Sequence, residues 1–192
     1  MSTKIPYPTL SMPRSGEHFQ MLQSSHGSDG HYRFLWTLSA GKKGPEPHMH
    51  PHEHETFEVQ SGTLHIWLDG TLNVLGAGES LVVKPGVGHR FFNPGPEPAV
   101  ARVSLDGPRL EDQMMPMAIF LRDNPKPGLI GILRILVHVG RSMSDGTVAA
   151  VDVPGKVVYA IFIKFARIIA FCGVQSLEPA ERWDVSSQAQ TL

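Results

Sequence analysis

Apolar and polar positions alternate along the first half of the chain with the period of β-strands. Glu55, Phe57 and Val59 fall on one face of a run, and Thr56, Glu58 and Gln60 on the other. Ser61-Gly62 turns the chain. Leu64, Ile66 and Leu68 then alternate with Thr63, His65, Trp67 and Asp69. Asp69-Gly70 is a two-residue hairpin signal, after which Leu72 and Val74 are expected to continue inward. Gly76-Ala77-Gly78 turns again, Leu81-Val82-Val83 reads as a buried strand, and Pro85-Gly86 makes the next turn. His89, Phe91 and Asn93 share a face ahead of a strand from Ala99 to Leu105. Upstream, Phe19 to Leu22 and Tyr32 to Leu38 read as strands flanking a turn at Ser24 to Gly30. Short strands at this spacing predict an all-β antiparallel sandwich or barrel.

Beyond Gly107 the period changes. Glu111 to Leu121 has helical character, with Pro116 confining the helix to one side of itself. Asn124 to Gly128 breaks the chain. Leu129, Ile132, Leu133, Leu136 and Val137 recur at helical spacing, with Arg134, His138 and Arg141 on another face. Ser142 to Val153 reads as a loop, and Pro154 opens a second apolar run from Val157 to Val174. That run approaches membrane-spanning length. Lys164 and Arg167 within it argue instead for packing on the barrel or on a partner subunit. The resulting plan is an arm over 1–15, a barrel over 16–108, a helical extension over 109–175 and a loose tail over 176–192.

Composition narrows the class. With 192 residues, 41% of them hydrophobic, the chain can bury one core with an appendage. Its formal net charge of −1 and the lack of a basic stripe exclude a nucleic-acid partner. Cys172 is the single cysteine, so no intrachain disulfide forms. It lies in an apolar run and is expected to be buried. Met1 to Arg14 carries prolines and no apolar core of a secretory leader, so a cytoplasmic location is expected.

The chemistry sits in the turn between two strands. His48 and His50 point the same way at the end of one strand, and Pro51 with the charged cluster behind it turns the chain. Glu55 then opens the neighbouring strand, and His89 follows a later turn. Three imidazoles and one carboxylate at these spacings can converge on a single ion. Such donors suit Fe, Mn, Ni, Co, Cu or Zn and suit Ca poorly. His52 and His54 fall in the turn itself, and Glu53 and Glu58 are expected to face solvent. Trp36, Phe57 and Phe91 are expected in the core, and Asn93 is expected to close a loop with its amide.

These residues resemble the two motifs of the cupin superfamily. The first is Gly, His-x-His, three or four residues, Glu, six residues and Gly; here it reads His48-x-His50, Glu55 and Gly62. Its leading Gly has no counterpart at the usual offset, since Gly41 and Gly44 both miss it. The second is Gly-x5-Pro-x-Gly-x2-His-x3-Asn, matched by Gly78, Gly86, His89 and Asn93, with Lys84 in place of the Pro and Pro85 just after it. The resemblance covers roughly residues 15 to 107. It implies a double-stranded β-helix, or jelly-roll barrel, with one divalent transition metal (Fe, Mn, Ni or Zn) held by His48, His50, Glu55 and His89. By analogy with other cupins, Glu55 could also leave the metal and act as a base.

Several functions share this fold. The first expectation is a metal-dependent enzyme for a small, hydrophobic organic substrate that binds the metal through oxygen. Its chemistry would be oxygenation with Fe, and cyclisation, isomerisation, decarboxylation or elimination with Zn, Mn or Ni. A non-catalytic ligand-binding module is the second expectation and a storage protein the third. The chain is expected to pair as a homodimer without a membrane partner.

Overall fold

The computed structural model describes residues 8–13, 15–27, 29–150 and 153–178. Eleven strands are described: β1 (Thr9–Met12), β2 (Glu17–Gln23), β3 (Tyr32–Leu38), β4 (His48–Met49), β5 (Glu55–Ser61), β6 (Thr63–Leu68), β7 (Thr71–Gly76), β8 (Ser80–Val83), β9 (His89–Phe92), β10 (Ala99–Leu105) and β11 (Ala149–Ala150). Three helices accompany them: α1 (Arg109–Asp123), α2 (Leu129–Ser144) and α3 (Val153–Phe171).

The pairing is that of one long hairpin rolled up. β6 pairs with β7, β5 with β8, β4 with β9 and β3 with β10, all antiparallel. Successive pairs alternate between two sheets, one ordered β1-β2-β3-β10-β5-β8 and the other β11-β4-β9-β6-β7. This is the expected jelly roll. Its interior is apolar, with Phe34, Trp36, Phe57, Val59, Leu64, Ile66 and Val103 all buried. At the hinge between the sheets, Gly62 has φ +75° and stands so close to the Pro98 carbonyl that a Cβ would lie 2.5 Å from the oxygen. Only glycine fits that crossing.

Several expectations need correction. The N-terminal segment is not an arm throughout: β1 pairs with β2, and Leu10 is buried in the core. Residues 1–7 lie outside the described residues. Leu72 and Val74 face outward, because the two-residue turn sets Leu72 across from Trp67 and Val74 across from His65. Leu75, across from buried Leu64, takes the inward place. Val82 is likewise exposed, on the edge strand β8, while Val83 beside Glu55 is buried.

In the helical part, α1 runs through Pro116 without a break. A proline removes the N–H that would serve the carbonyl four residues back. His138 of α2 reaches this turn, with Nε2 3.0 Å from the Gln113 carbonyl. The expected loop after Ser142 contains β11, which pairs with β4 at Met49 and His48. Cys172 is exposed rather than buried. The tail is anchored at its start: Leu177 is buried, and Arg134 donates to the Ser176 carbonyl. Residues 179–192 lie outside the described residues. Among the described residues, no helix is long and apolar enough to cross a membrane.

Candidate metal centre

The two sheets bring the predicted donors together. His48 and His89 are cross-strand partners on β4 and β9, with ring centroids 4.4 Å apart. His50 follows β4 directly. Glu55 opens β5 in the facing sheet. All four side chains are buried. One ring nitrogen from each of His48, His50 and His89 lies within 4.8 Å of the others, a spacing that could hold a metal ion. Glu55 Oε2 stands 3.1 Å from His89 Nε2 and 3.6 Å from His50 Nε2.

The outer contacts fix which nitrogen faces the centre. His48 Nδ1 is 2.8 Å from the Glu46 carbonyl, His50 Nδ1 3.0 Å from the Thr147 carbonyl, and His89 Nδ1 3.1 Å from the Val87 carbonyl. A carbonyl only accepts, so each Nδ1 carries the proton and each Nε2 is turned to the shared space. A carbonyl or carboxylate behind each imidazole is the usual second layer of a metal site. Glu55 Oε2 and His89 Nε2 are buried with no well-formed hydrogen bond, as befits atoms shaped for a further partner. The residues therefore fit a divalent transition metal, with Nε2 as the donor atom of each histidine.

Electrostatics support this arrangement. Burial lowers His48 to about 3, helped by the neighbouring His89 and His50, so its imidazole stays neutral and available as a ligand. Burial disfavours charge on His89 and Glu55 alike. The attraction between them outweighs that penalty, raising His89 and, together with His50, lowering Glu55.

The cluster opens onto a cavity of about 240 Å³. Phe19, Phe34, Trp36, Phe57 and Phe91 line it from the barrel, and Met114 and Met117 line it from α1. The aromatic residues expected in the core are thus both core and cavity wall. The extension covers the site, with Met143 and Val148 also in the lining.

Residues 34–105 match a family model described as a cupin domain. Residues 34–105 are thus a cupin domain. The chain is 26% identical over 121 residues to the polyketide synthase CurC of Streptomyces cyaneus, covering 56% of this chain and 78% of that protein. Among solved structures it resembles a cupin-superfamily sugar phosphate isomerase from Silicibacter pomeroyi DSS-3. That match has 25% identity and a TM-score of 0.43, covering 47% of this chain and 59% of the other. It also resembles an oxalate oxidase, at 26% identity and a TM-score of 0.45, covering 56% of this chain and 59% of the other. The chain thus spans 59% of the length of each of these two solved chains. Its relatives include enzymes.

Other positions resolve individually. His52 and His54 are exposed and lie outside the cluster; His54 pairs with Asp106. Glu58 pairs with Arg102 on the surface. Asn93 is fully buried, and its amide donates to the Leu38 and Glu97 carbonyls while accepting from Gly95 N–H. Glu53 does not face solvent. It is buried, and its Oε1 accepts the Arg109 N–H at the first turn of α1. Pro108 before that turn has no side-chain cap to offer, so a carboxylate from the turn between β4 and β5 takes the place.

Two features of the site escape a motif search. The Thr147 carbonyl carries no sequence signal, because every residue has one. Glu17 lines the cavity and is buried. Its signal was the alternation Glu17, Phe19, Met21, extended one step beyond the apolar residues.

Proposed function

We propose that this cupin is a metal-dependent enzyme acting on a small, largely apolar organic compound that reaches the metal through oxygen atoms. The observation carrying this reading is the shared orientation of the three histidines. Each is held by a backbone carbonyl at Nδ1 so that its Nε2 turns to the shared space, where Glu55 Oε2 stands near those of His50 and His89 beside an apolar cavity. His48, His50, His89 and Glu55 would hold one ion of Fe, Mn, Ni or Zn. That ion would supply Lewis-acid polarisation of a substrate oxygen or, if redox-active, activation of O2.

The chain's own residues supply the rest. His48 stays uncharged because it is buried. Glu55 is the only carboxylate in the cluster, and its Oε2 stands 3.1 Å from His89 Nε2, at the centre of the site. It is the base of the site. The aromatic wall and the methionines of α1 exclude water and select apolar, planar compounds. The likeness to a polyketide synthase supports an oxygen-rich aromatic or enolisable substrate.

Elemental analysis of untagged protein, beside His50→Ala and Glu55→Ala, tests the reading. About one ion per chain, lost in both variants, is the expected result; a metal-free parent protein would overturn it. Turnover that stops without O2 then assigns oxygenation, and undiminished anaerobic turnover assigns cyclase, isomerase or lyase chemistry.

The same reading includes a homodimer in the cytoplasm. Val158, Ile161, Phe165, Ile168 and Phe171 of α3 are exposed along one side of the helix, an apolar strip suited to a second copy. Sedimentation should give twice the mass of one chain, and Phe165→Glu with Ile168→Glu should halve it. A monomeric parent protein would refute the pairing.

A further inference from the structure

Apart from the metal cluster, the cavity lining is apolar except at two side chains, Glu17 of β2 and Gln113 of α1. Glu17 is 6% exposed. Its Oε1 accepts a hydrogen bond from Trp36 Nε1 at 3.2 Å. The Trp36 ring packs on Phe91 at 5.3 Å, and Phe91 packs on His48 at 5.8 Å. Two aromatic rings therefore stand in sequence between Glu17 and the histidines along one wall. Gln113 enters from the covering helix, and its Oε1 is buried without a partner. A carboxyl has more hydrogen-bonding capacity than Trp36 uses. A carboxyl buried among phenylalanines and methionines is costly unless something compensates for it.

We propose that Glu17 is a second polar anchor of the cavity, binding a hydroxyl or carbonyl oxygen at the far end of a planar aromatic substrate whose near end faces the histidine cluster. This deepens the proposed function and rests on it for the metal-facing end. The substrate class becomes an aromatic compound with oxygen substituents at both ends, spanning the length of Trp36 and Phe91. Burial raises the Glu17 pKa against the pull of its hydrogen bonds from Ser15 and Trp36. Ionised, the carboxyl accepts from a hydroxyl; protonated, it can also donate to a carbonyl or phenolate. Gln113 offers a further unpartnered oxygen to the same cavity. Glu17 contacts none of the proposed metal ligands, so its role is selection and positioning.

Titration of the full-length protein with 2,6-dihydroxynaphthalene and 2-naphthol, followed by tryptophan fluorescence and calorimetry, tests this. The diol should bind about tenfold more tightly than the mono-ol, the ratio set by one buried hydrogen bond to a polar group. Glu17→Leu should bring the ratio close to one, Glu17→Gln should keep most of it, and metal content should be unchanged in both. A ratio that survives Glu17→Leu, or a parent protein that binds neither compound, would overturn the proposal. A crystal of the parent protein soaked with the diol decides the matter if Glu17→Leu fails to fold. A diol oxygen within hydrogen-bond reach of the Glu17 carboxyl supports the anchor, and a diol oriented away from it overturns it. Metal content measured on the same samples separates failure of the anchor from failure of the metal enzyme itself.

Discussion

His50 Nδ1 and the Thr147 carbonyl oxygen are 3.0 Å apart in space and 97 residues apart in sequence. The contact joins the turn after β4 to the loop after α2. It makes the helical extension part of the site: β11, just beyond Thr147, pairs with β4 at His48. Both first-motif histidines are thus braced by a segment outside the cupin domain.

The turn that presents this carbonyl depends on Gly146, which has φ +78° and leaves only 3.1 Å between an added Cβ and His52 Nε2. Gly146→Val should distort the turn and free His50 to rotate. Loss of a partner behind a ligating imidazole weakens metal binding by about 10- to 100-fold. Competition with a chelating dye measures the shift; an unchanged affinity would show that the Thr147 contact is dispensable.

His48 predicts an acid-labile metal-free protein. Its pKa is lowered from 6.5 to about 3, so the unfolded chain takes up a proton that the folded chain refuses. The stabilisation is complete above the unfolded value and is lost as pH falls below 6.5. His89, raised by Glu55, contributes a constant amount below 6.5 and loses it only as pH rises through its folded value. Urea unfolding of metal-free protein should therefore weaken by about 1.4 kcal/mol per pH unit below 6.5 from His48 alone. Glu17 and Glu53, raised by burial, offset part of this as they protonate. The slope in His48→Gln should be smaller by that amount, and equal slopes in the two proteins would refute the assignment.

Glu53 ties the turn between β4 and β5 to α1. It packs so tightly on Gly107 that an added Cβ there would lie 2.5 Å from its Oε1. Glu53→Ala removes the acceptor for the Arg109 N–H and leaves a void, costing about 1–3 kcal/mol. Hydrogen exchange should accelerate across α1, and the cavity that α1 covers should open to solvent. Unchanged exchange in α1 would show that its docking does not depend on this residue.

Gly140 sets the approach of α2 and α3. A Cβ there would lie 2.3 Å from that of Ala166, which is buried. Gly140→Leu cannot be accommodated without separating the helices, and the expected loss is about 2 kcal/mol or more. Thermal unfolding measures it, and a melting temperature within a degree of the parent protein would contradict this packing.

The strand pattern was legible because a half-buried strand must alternate and a two-residue turn must carry its own signal. Glu55, Phe57 and Val59 alternate as expected, and Asp69-Gly70 closes β6 onto β7. Leu72 and Val74 show the limit. Apolar character cannot tell an edge strand's outer face from its inner one; the turn register decides that. Glu53 failed for a related reason, since a charged residue in a turn is exposed unless some distant group needs it, here the first N–H of α1.

By itself the sequence determined the jelly-roll pattern and singled out His48, His50, Glu55 and His89 as the candidate donors, because alternation and motif spacing are local properties of the chain. Tertiary structure alone decided which imidazole nitrogen faces inward, that Thr147 braces His50, that Glu17 enters the cavity, and that α1 covers it. These relations depend on main-chain carbonyls and on segments far apart in sequence, which meet only when the two sheets close on each other and the extension returns to them.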